Sequence, residues 1–309
     1  MRILEANMAS FQVRTDLALE ARESISEAKS ELHGVRVEEY EIEEDHIHVT
    51  RVLIETKNAA KSMGKPIGVY ITIEAPEILE PDEDYHREIS ECISEELLSM
   101  LPVKEEGLSV LVVGLGNREV TADALGPRVL DNLMITRHIM RTYGKAAYEN
   151  RCINEISSIE PGVMAKTGME TAEIVKGVVE ETKPDVVVVI DALAARSTKR
   201  LNRTIQISNA GIQPGSGVGN HRNALTQESL GRPVIAIGVP TVVDAATIVV
   251  DALEKMIEDK KRPEDWEDIE RLHTAVSQLS NMYMTGKDVD SMIKRVSYTL
   301  SEALNMALV

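Results

Sequence analysis

The sequence is short of aromatic side chains, with one Phe and one Trp among 309 residues. That leaves little material for the stacking platforms that hold single-stranded nucleic acid. Positive charge is also in deficit: 34 Lys and Arg stand against 51 Asp and Glu, a formal net charge of −17. Such a balance argues against a nucleic-acid backbone as a direct partner, because phosphate binding wants a surplus of Lys and Arg. Cys92 and Cys152 are the only cysteines. They are too few for a disulfide framework and are not at metal-ligand spacing, so a reducing cytoplasm is the expected compartment. No run approaches the roughly 18 consecutive apolar residues of a membrane span, and the chain start has no apolar core of a signal peptide. Repeats and low-complexity tracts are absent too.

What is present is a set of buried strands that end in polar loops. Leu108-Ser-Val-Leu-Val-Val-Gly-Leu-Gly-Asn117 reads as a strand buried on both faces that turns sharply at Gly114 and Gly116. A helix is expected behind Pro127, with Val129, Leu130, Leu133 and Met134 at helical spacing. Pro184–Asp191 and Pro233–Pro240 repeat the buried pattern, the first ending at Asp191 and passing through Ala192-Leu-Ala-Ala-Arg196 into a loop. The fold class is therefore α/β, a central and largely parallel sheet flanked by helices.

Before that core, Val35–Ile42 and Asp45–Ile54 alternate apolar and charged residues as an antiparallel hairpin does, and Gly68–Ala75 reads as a third strand. Asp82–Met100 is an acidic amphipathic helix, Thr204–Ser208 a short strand, and Val289–Leu308 a helix that packs back on the sheet. Thr15 and Asp16 are candidate caps for a helix at the chain start. Ile156–Thr171 reads as a turn-rich loop, Gly211–Asn220 as the most flexible run, and Glu258–Glu270 as a solvated, charged linker.

Two residues carry the chemistry in this reading. Asp123, in the loop after the first buried strand, and Asp191, at the end of the second, lie where open α/β sheets place their active sites. Two carboxylates sharing one site split their proton affinities, giving a general base for water and a general acid, and peptide hydrolysis can run on such a pair. Structural roles compete: Asp123 as a helix cap, Asp191 as the closer of a turn. Gly114-Leu-Gly-Asn is half of a dinucleotide fingerprint, but Glu119 stands where the third glycine belongs, and neither Gly215-Ser-Gly-Val-Gly nor Thr285-Gly-Lys completes a phosphate loop. His46 and His48, two apart on a strand, can chelate a metal, but with no third ligand at readable spacing a surface pair is the expected reading. Asp244 is a third strand-end aspartate whose expected role is an N-cap. Lys166, Arg196 and Arg222 lie in loops at the same edge, either to bind a substrate carboxylate or to solvate those loops.

The motifs Val113-Gly-Leu-Gly-Asn117, Thr121-Ala-Asp-Ala-Leu-Gly-Pro127, Ile190-Asp-Ala-Leu-Ala-Ala-Arg196, Pro214–Asn220 and Ile235–Ala245 resemble the germination proteases of spore-forming Firmicutes. Val13-Arg-Thr-Asp-Leu-Ala18 extends the likeness to the chain start. The resemblance implies a core similar to the hydrogenase maturation endopeptidases, and an atypical aspartic endopeptidase that acts on small acid-soluble spore proteins during germination. It assigns the essential aspartates to Asp123 and Asp191. It further implies a zymogen that loses a pro-segment, residues 1–16, by cutting Asp16-Leu17, and leaves residues 17–309 as one peptidase domain. A homotetramer of the spore core, with no cofactor, no bound metal, no direct nucleic-acid contact and no membrane, completes the expectation. Backbone N–H groups at Gly116, Asn117, Gly217 and Gly219, with His221 beside them, are candidates for substrate and oxyanion contacts. The competing classes are a metal-dependent endopeptidase using the same aspartates and a non-enzymatic binding module.

Overall fold

A computed structural model describes residues 15–27, 33–42, 46–148, 153–215, 222–249, 279 and 282–309. Its frame is a nine-stranded sheet in the order β1-β2-β3-β7-β8-β6-β4-β5, with β9 pairing on β8. The strands are β1 (Val35–Ile42), β2 (Ile47–Ile54), β3 (Gly68–Glu74), β4 (Ser109–Gly114), β5 (Glu155–Ile159), β6 (Val186–Ala195), β7 (Thr204–Ser208), β8 (Val234–Asp244) and β9 (Tyr283–Met284). β5, β4, β6 and β8 are mutually parallel, whereas β1, β2, β3 and β7 are joined by antiparallel pairing, and β7 meets β8 antiparallel. The expected parallel core and antiparallel N-terminal element are thus halves of one sheet.

The parallel half is apolar on both faces because helices cover both. On one side, alternate residues Val110, Val112, Val186, Val188 and Ile190 pack with Ile89, Ile93, Leu97, Leu300 and Leu304. These last belong to α3 (Glu83–Met100) and α10 (Val289–Leu308), so the C-terminal helix does return to the sheet. On the other side Leu111, Val113, Val187 and Val189 meet Val175 and Val179 of α7 (Thr171–Thr182). Burying chains of this size contributes about 1.5–3 kcal/mol each. α3 starts where expected, its Asp82 cap accepting from the N–H groups of Asp84 and Tyr85. The remaining described helices are α1 (Ala18–Glu27), α2 (Lys57–Met63), α4 (Leu125–Leu130), α5 (Arg137–Tyr143), α6 (Met164–Thr167), α8 (Gln227–Leu230) and α9, described over 245–249. Among the described residues no helix is long and apolar enough to cross a membrane.

Several expectations are corrected. β6 does not end at Asp191 but runs four residues further, to Ala195. Its neighbour β8, one residue longer, pairs with it across a register shift between Leu193 and Ala194, so tertiary pairing overrides the weak strand preference of Ala-Leu-Ala-Ala. Residues 155–159 form an edge strand on β4, not a loop; there a partly exposed edge tolerates Ser157 and Ser158. His46 is in a left-handed turn (φ 52°) ahead of β2, which breaks the paired-histidine pattern. The charged segment 258–270 lies outside the described residues.

Candidate active site

Asp123 is fixed by a tight corner after β4. The chain leaves the sheet through Leu115, whose N–H donates to the Ile190 carbonyl, and turns at Gly116 with φ +114°. A Cβ on Gly116 would stand 1.9 Å from the Asp123 carbonyl oxygen, so only glycine fits. Gly126 is similarly constrained, 2.4 Å from the Leu115 carbonyl, and this lets α4 press against the strand end. The Asn117 N–H donates both to the Asp123 carbonyl (3.0 Å) and to its carboxylate (2.9 Å). That N–H, expected from the sequence to face a substrate oxyanion, instead holds Asp123. The short turn Thr121–Asp123 is tied to β8 by the Thr241 hydroxyl on the Ala122 carbonyl (2.6 Å) and to α10 by Thr121 on Asp290 (2.8 Å). Asp123 does not cap α4: its carboxylate points back to Asn117.

Asp191 reaches the site in another way. It follows Val187 and Val189 on the same face of β6 and is 5% exposed. Burial, then the charges of Asp123 and Asp16, raise its pKa well above the ordinary carboxylate value, against the Ala192 N–H and the Arg222 charge. Asp123 is half-buried, and burial raises its pKa too, opposed by the Asn117 N–H and Arg222. The aspartates therefore share one field, and Arg222 acts on both. Across the sheet, Asp191 pairs with Gly238 of β8, which pairs with Gln206 of β7. Gln206 and Asp191 thus project from one face, separated by a residue without a side chain.

Sequence reasoning missed that residues 15–20 lie against this face. Asp16 exchanges two hydrogen bonds with Ala194: its N–H donates to the Ala194 carbonyl (2.9 Å), and its carboxylate accepts from the Ala194 N–H (2.9 Å). Leu17 is fully buried among Leu193, Ala195 and Val243. Glu20, 2% exposed, accepts from the N–H groups of Arg196 (2.8 Å) and Ser197 (2.9 Å) and from the Thr15 hydroxyl. Thr15 and Asp16 are therefore not simple helix caps: α1 begins at Ala18, while Asp16 bonds to β6. Only the apolar character of Leu17 hinted at this.

The remaining candidates separate. Asp244 caps α9, accepting from the Thr247 N–H (2.9 Å). Lys166 pairs with Glu119 (2.6 Å), and the Arg196 N–H serves Glu20. Gly217, Gly219 and His221 lie outside the described residues.

A family model described as germination protease matches residues 13–279. Curated relatives with that name include one from Caldanaerobacter subterraneus subsp. tengcongensis, 46% identical over 96% of this chain and 94% of its own. Others come from Clostridium tetani, 41% identical over 96% of each chain, and from Bacillus cereus, 38% identical over 98% of this chain and 95% of its own. A solved [NiFe] hydrogenase maturation protease, HycI from Thermococcus kodakarensis, aligns over 68% of this chain and 98% of its own. Its 16% identity and TM-score of 0.32 are too low to carry an argument. The corner at Gly116, the buried Asp191 and residues 15–20 beside it all fall inside the matched span, and the chain belongs to the germination protease family.

Proposed function

We propose that this protease is an atypical aspartic endopeptidase in which Asp123 and Asp191 activate water, made as a zymogen that cuts its own Asp16-Leu17 bond. Its substrates are small acid-soluble spore proteins, whose degradation it starts during germination in the spore core, and it works as a homotetramer. The observation that carries the reading is the shared field of the two aspartates, with Asp16 as a third carboxylate acting on Asp191. Asp191, buried and flanked by two carboxylates, is the partner that keeps its proton. Asp123, which accepts an N–H and feels Arg222, is the partner that ionises and takes the proton of the attacking water. Asp191 then donates to the departing Leu17 nitrogen.

Incubation of the full chain at mildly acidic pH, followed by intact-mass measurement, tests this. The wild type is expected to lose residues 1–16, and Asp123→Asn and Asp191→Asn to be slower by about 10³-fold. An unchanged wild-type mass, or near-normal turnover in either variant, overturns the reading.

A further inference from the structure

Every polar backbone group around the Asp16-Leu17 peptide has a fixed partner, and the partners of its carbonyl come from distant parts of the chain. Lys65, in the turn after α2, donates from Nζ to the Asp16 carbonyl (2.8 Å) and to the Thr15 carbonyl (3.3 Å). Gln206 grips the peptide from β7: its Nε2 donates to the same Asp16 carbonyl (3.2 Å), while its Oε1 accepts from the Ala18 N–H (2.7 Å). The Leu17 N–H donates to the Thr15 hydroxyl (3.1 Å). Gln206 is 9% exposed and shares its row of the sheet with Asp191, with Gly238 between them. Strand spacing puts those two backbones about 10 Å apart. Leu193 leans over the intervening glycine, where a Cβ would stand 2.5 Å from its Cγ, and Leu17 packs on that side chain.

Burial lowers the Lys65 pKa and the charges of Asp16 and Glu20 oppose that shift; its ammonium and an amide aimed at one carbonyl oxygen form the arrangement that stabilises charge developing there. We propose that Lys65 and Gln206 are the oxyanion-binding residues of this protease, holding the carbonyl of the bond to be cut. The apolar seat formed by Leu193, Ala195 and Val243 then takes the residue after that bond. The inference rests on the reading of Asp16-Leu17 as the bond cut and deepens it by naming the donors that act on its carbonyl. In the addition step the water oxygen bonds to the Asp16 carbonyl carbon and its proton passes to Asp123. The carbonyl π pair moves onto the oxygen held by Lys65 and Gln206. Collapse of the adduct breaks the C–N bond, and the Leu17 nitrogen leaves with the proton of Asp191. The same donors serve a substrate chain of acidic-then-apolar sequence once residues 1–16 have gone.

The test compares self-cleavage of full-length wild type, Lys65→Met, Lys65→Arg, Gln206→Glu and Gln206→Met. Hydrogen exchange at Leu17 and Ala18 is followed alongside, to separate catalysis from anchoring. Loss of the cationic donor in Lys65→Met is expected to slow cleavage by about 100-fold, the cost of removing one oxyanion donor. Lys65→Arg restores most of the rate. Gln206→Glu keeps the acceptor for Ala18 but loses the donor to Asp16; it is expected to slow cleavage about tenfold with exchange unchanged. Should Lys65→Met fail to fold, Gln206→Met is expected to show the same tenfold slowing, with exchange faster at Ala18, whose acceptor is gone, and unchanged at Leu17, which bonds to Thr15. Cleavage within threefold of wild type in a folded Lys65→Met or Gln206→Met, or slowing only in proportion to lost protection at Leu17 and Ala18, overturns the proposal. A wild type that does not cut at Asp16-Leu17 overturns the parent reading instead.

Discussion

The corner that carries Asp123 is held by contacts a few residues apart, whereas the stretch of β6 that carries Asp191 is held by residues from other parts of the chain. Asn117, Gly116 and Gly126 lie within seven positions of Asp123 and fix its carboxylate through short turns and steric exclusion. Asp191 instead depends on Gly238 and Gln206 along its row and on Asp16, 175 residues earlier. The difference teaches how one sheet end gives two carboxylates different surroundings. Burial raises the pKa of both, but in the turn the Asn117 N–H opposes the shift at Asp123, whereas in the strand two acidic neighbours add to it at Asp191.

That contrast is open to attack from both sides. The largest effect is expected at the local corner, from Gly116→Ala. The new Cβ collides with backbone, and φ +114° is unfavourable for any side chain, so a loss of about 3 kcal/mol or more is expected together with loss of cleavage. Urea unfolding measures the first and intact mass the second; a variant as stable as wild type would show that the corner is not rigid. On the non-local side, Glu20→Ala strips the acceptor from the N–H groups of Arg196 and Ser197 behind β6. A cost of about 1–2 kcal/mol in the same unfolding measurement is expected, because two partly buried donors lose their acceptor.

A third variant, Asp191→Asn, carries the opposite sign. Its raised pKa means that the native state binds more protons than the unfolded chain between pH about 4 and the raised value. Stability contributed by that proton is present below the window and is lost as pH rises through it. Removing the charge should therefore raise the thermal midpoint at neutral pH by about 2 °C or more, a difference that vanishes near pH 4. Thermal scans at both pH values check this, and a destabilised variant at neutral pH would mean that the carboxylate is ionised and favourably held. The smallest effect is expected from Asp244→Ala, which removes the cap of α9 at a cost of about 1 kcal/mol and leaves both aspartates in place. Cleavage by this variant should stay close to wild type.

Legibility in the sequence followed the range of the interactions. The Gly114–Gly116 turn, the amphipathic run Asp82–Met100 and the buried runs of β4 and β8 are local patterns, and they predicted the elements that the structure contains. Asp123 and Asp191 were readable as strand-end carboxylates. That Asp191 is inside a longer strand was not readable, because Ala192–Ala195 becomes extended only by pairing with β8. Glu155–Ile159 was missed because a strand with two serines shows its register only beside β4. Lys65 and Gln206 carried no signal at all: one follows a short helix, the other sits in a five-residue strand, and neither belongs to a spacing pattern.

By itself the sequence determined the α/β class, the family and the two candidate carboxylates, because strand burial, glycine turns and motif spacing are properties of neighbouring residues. Only the tertiary structure decided which carboxylate is buried, what faces it, and that Asp16, Leu17 and Ala18 lie on the same face as Gln206 and Asp191. Those are consequences of strand order and register, which bring Asp16, Lys65, Asp191 and Gln206 together from four separate segments.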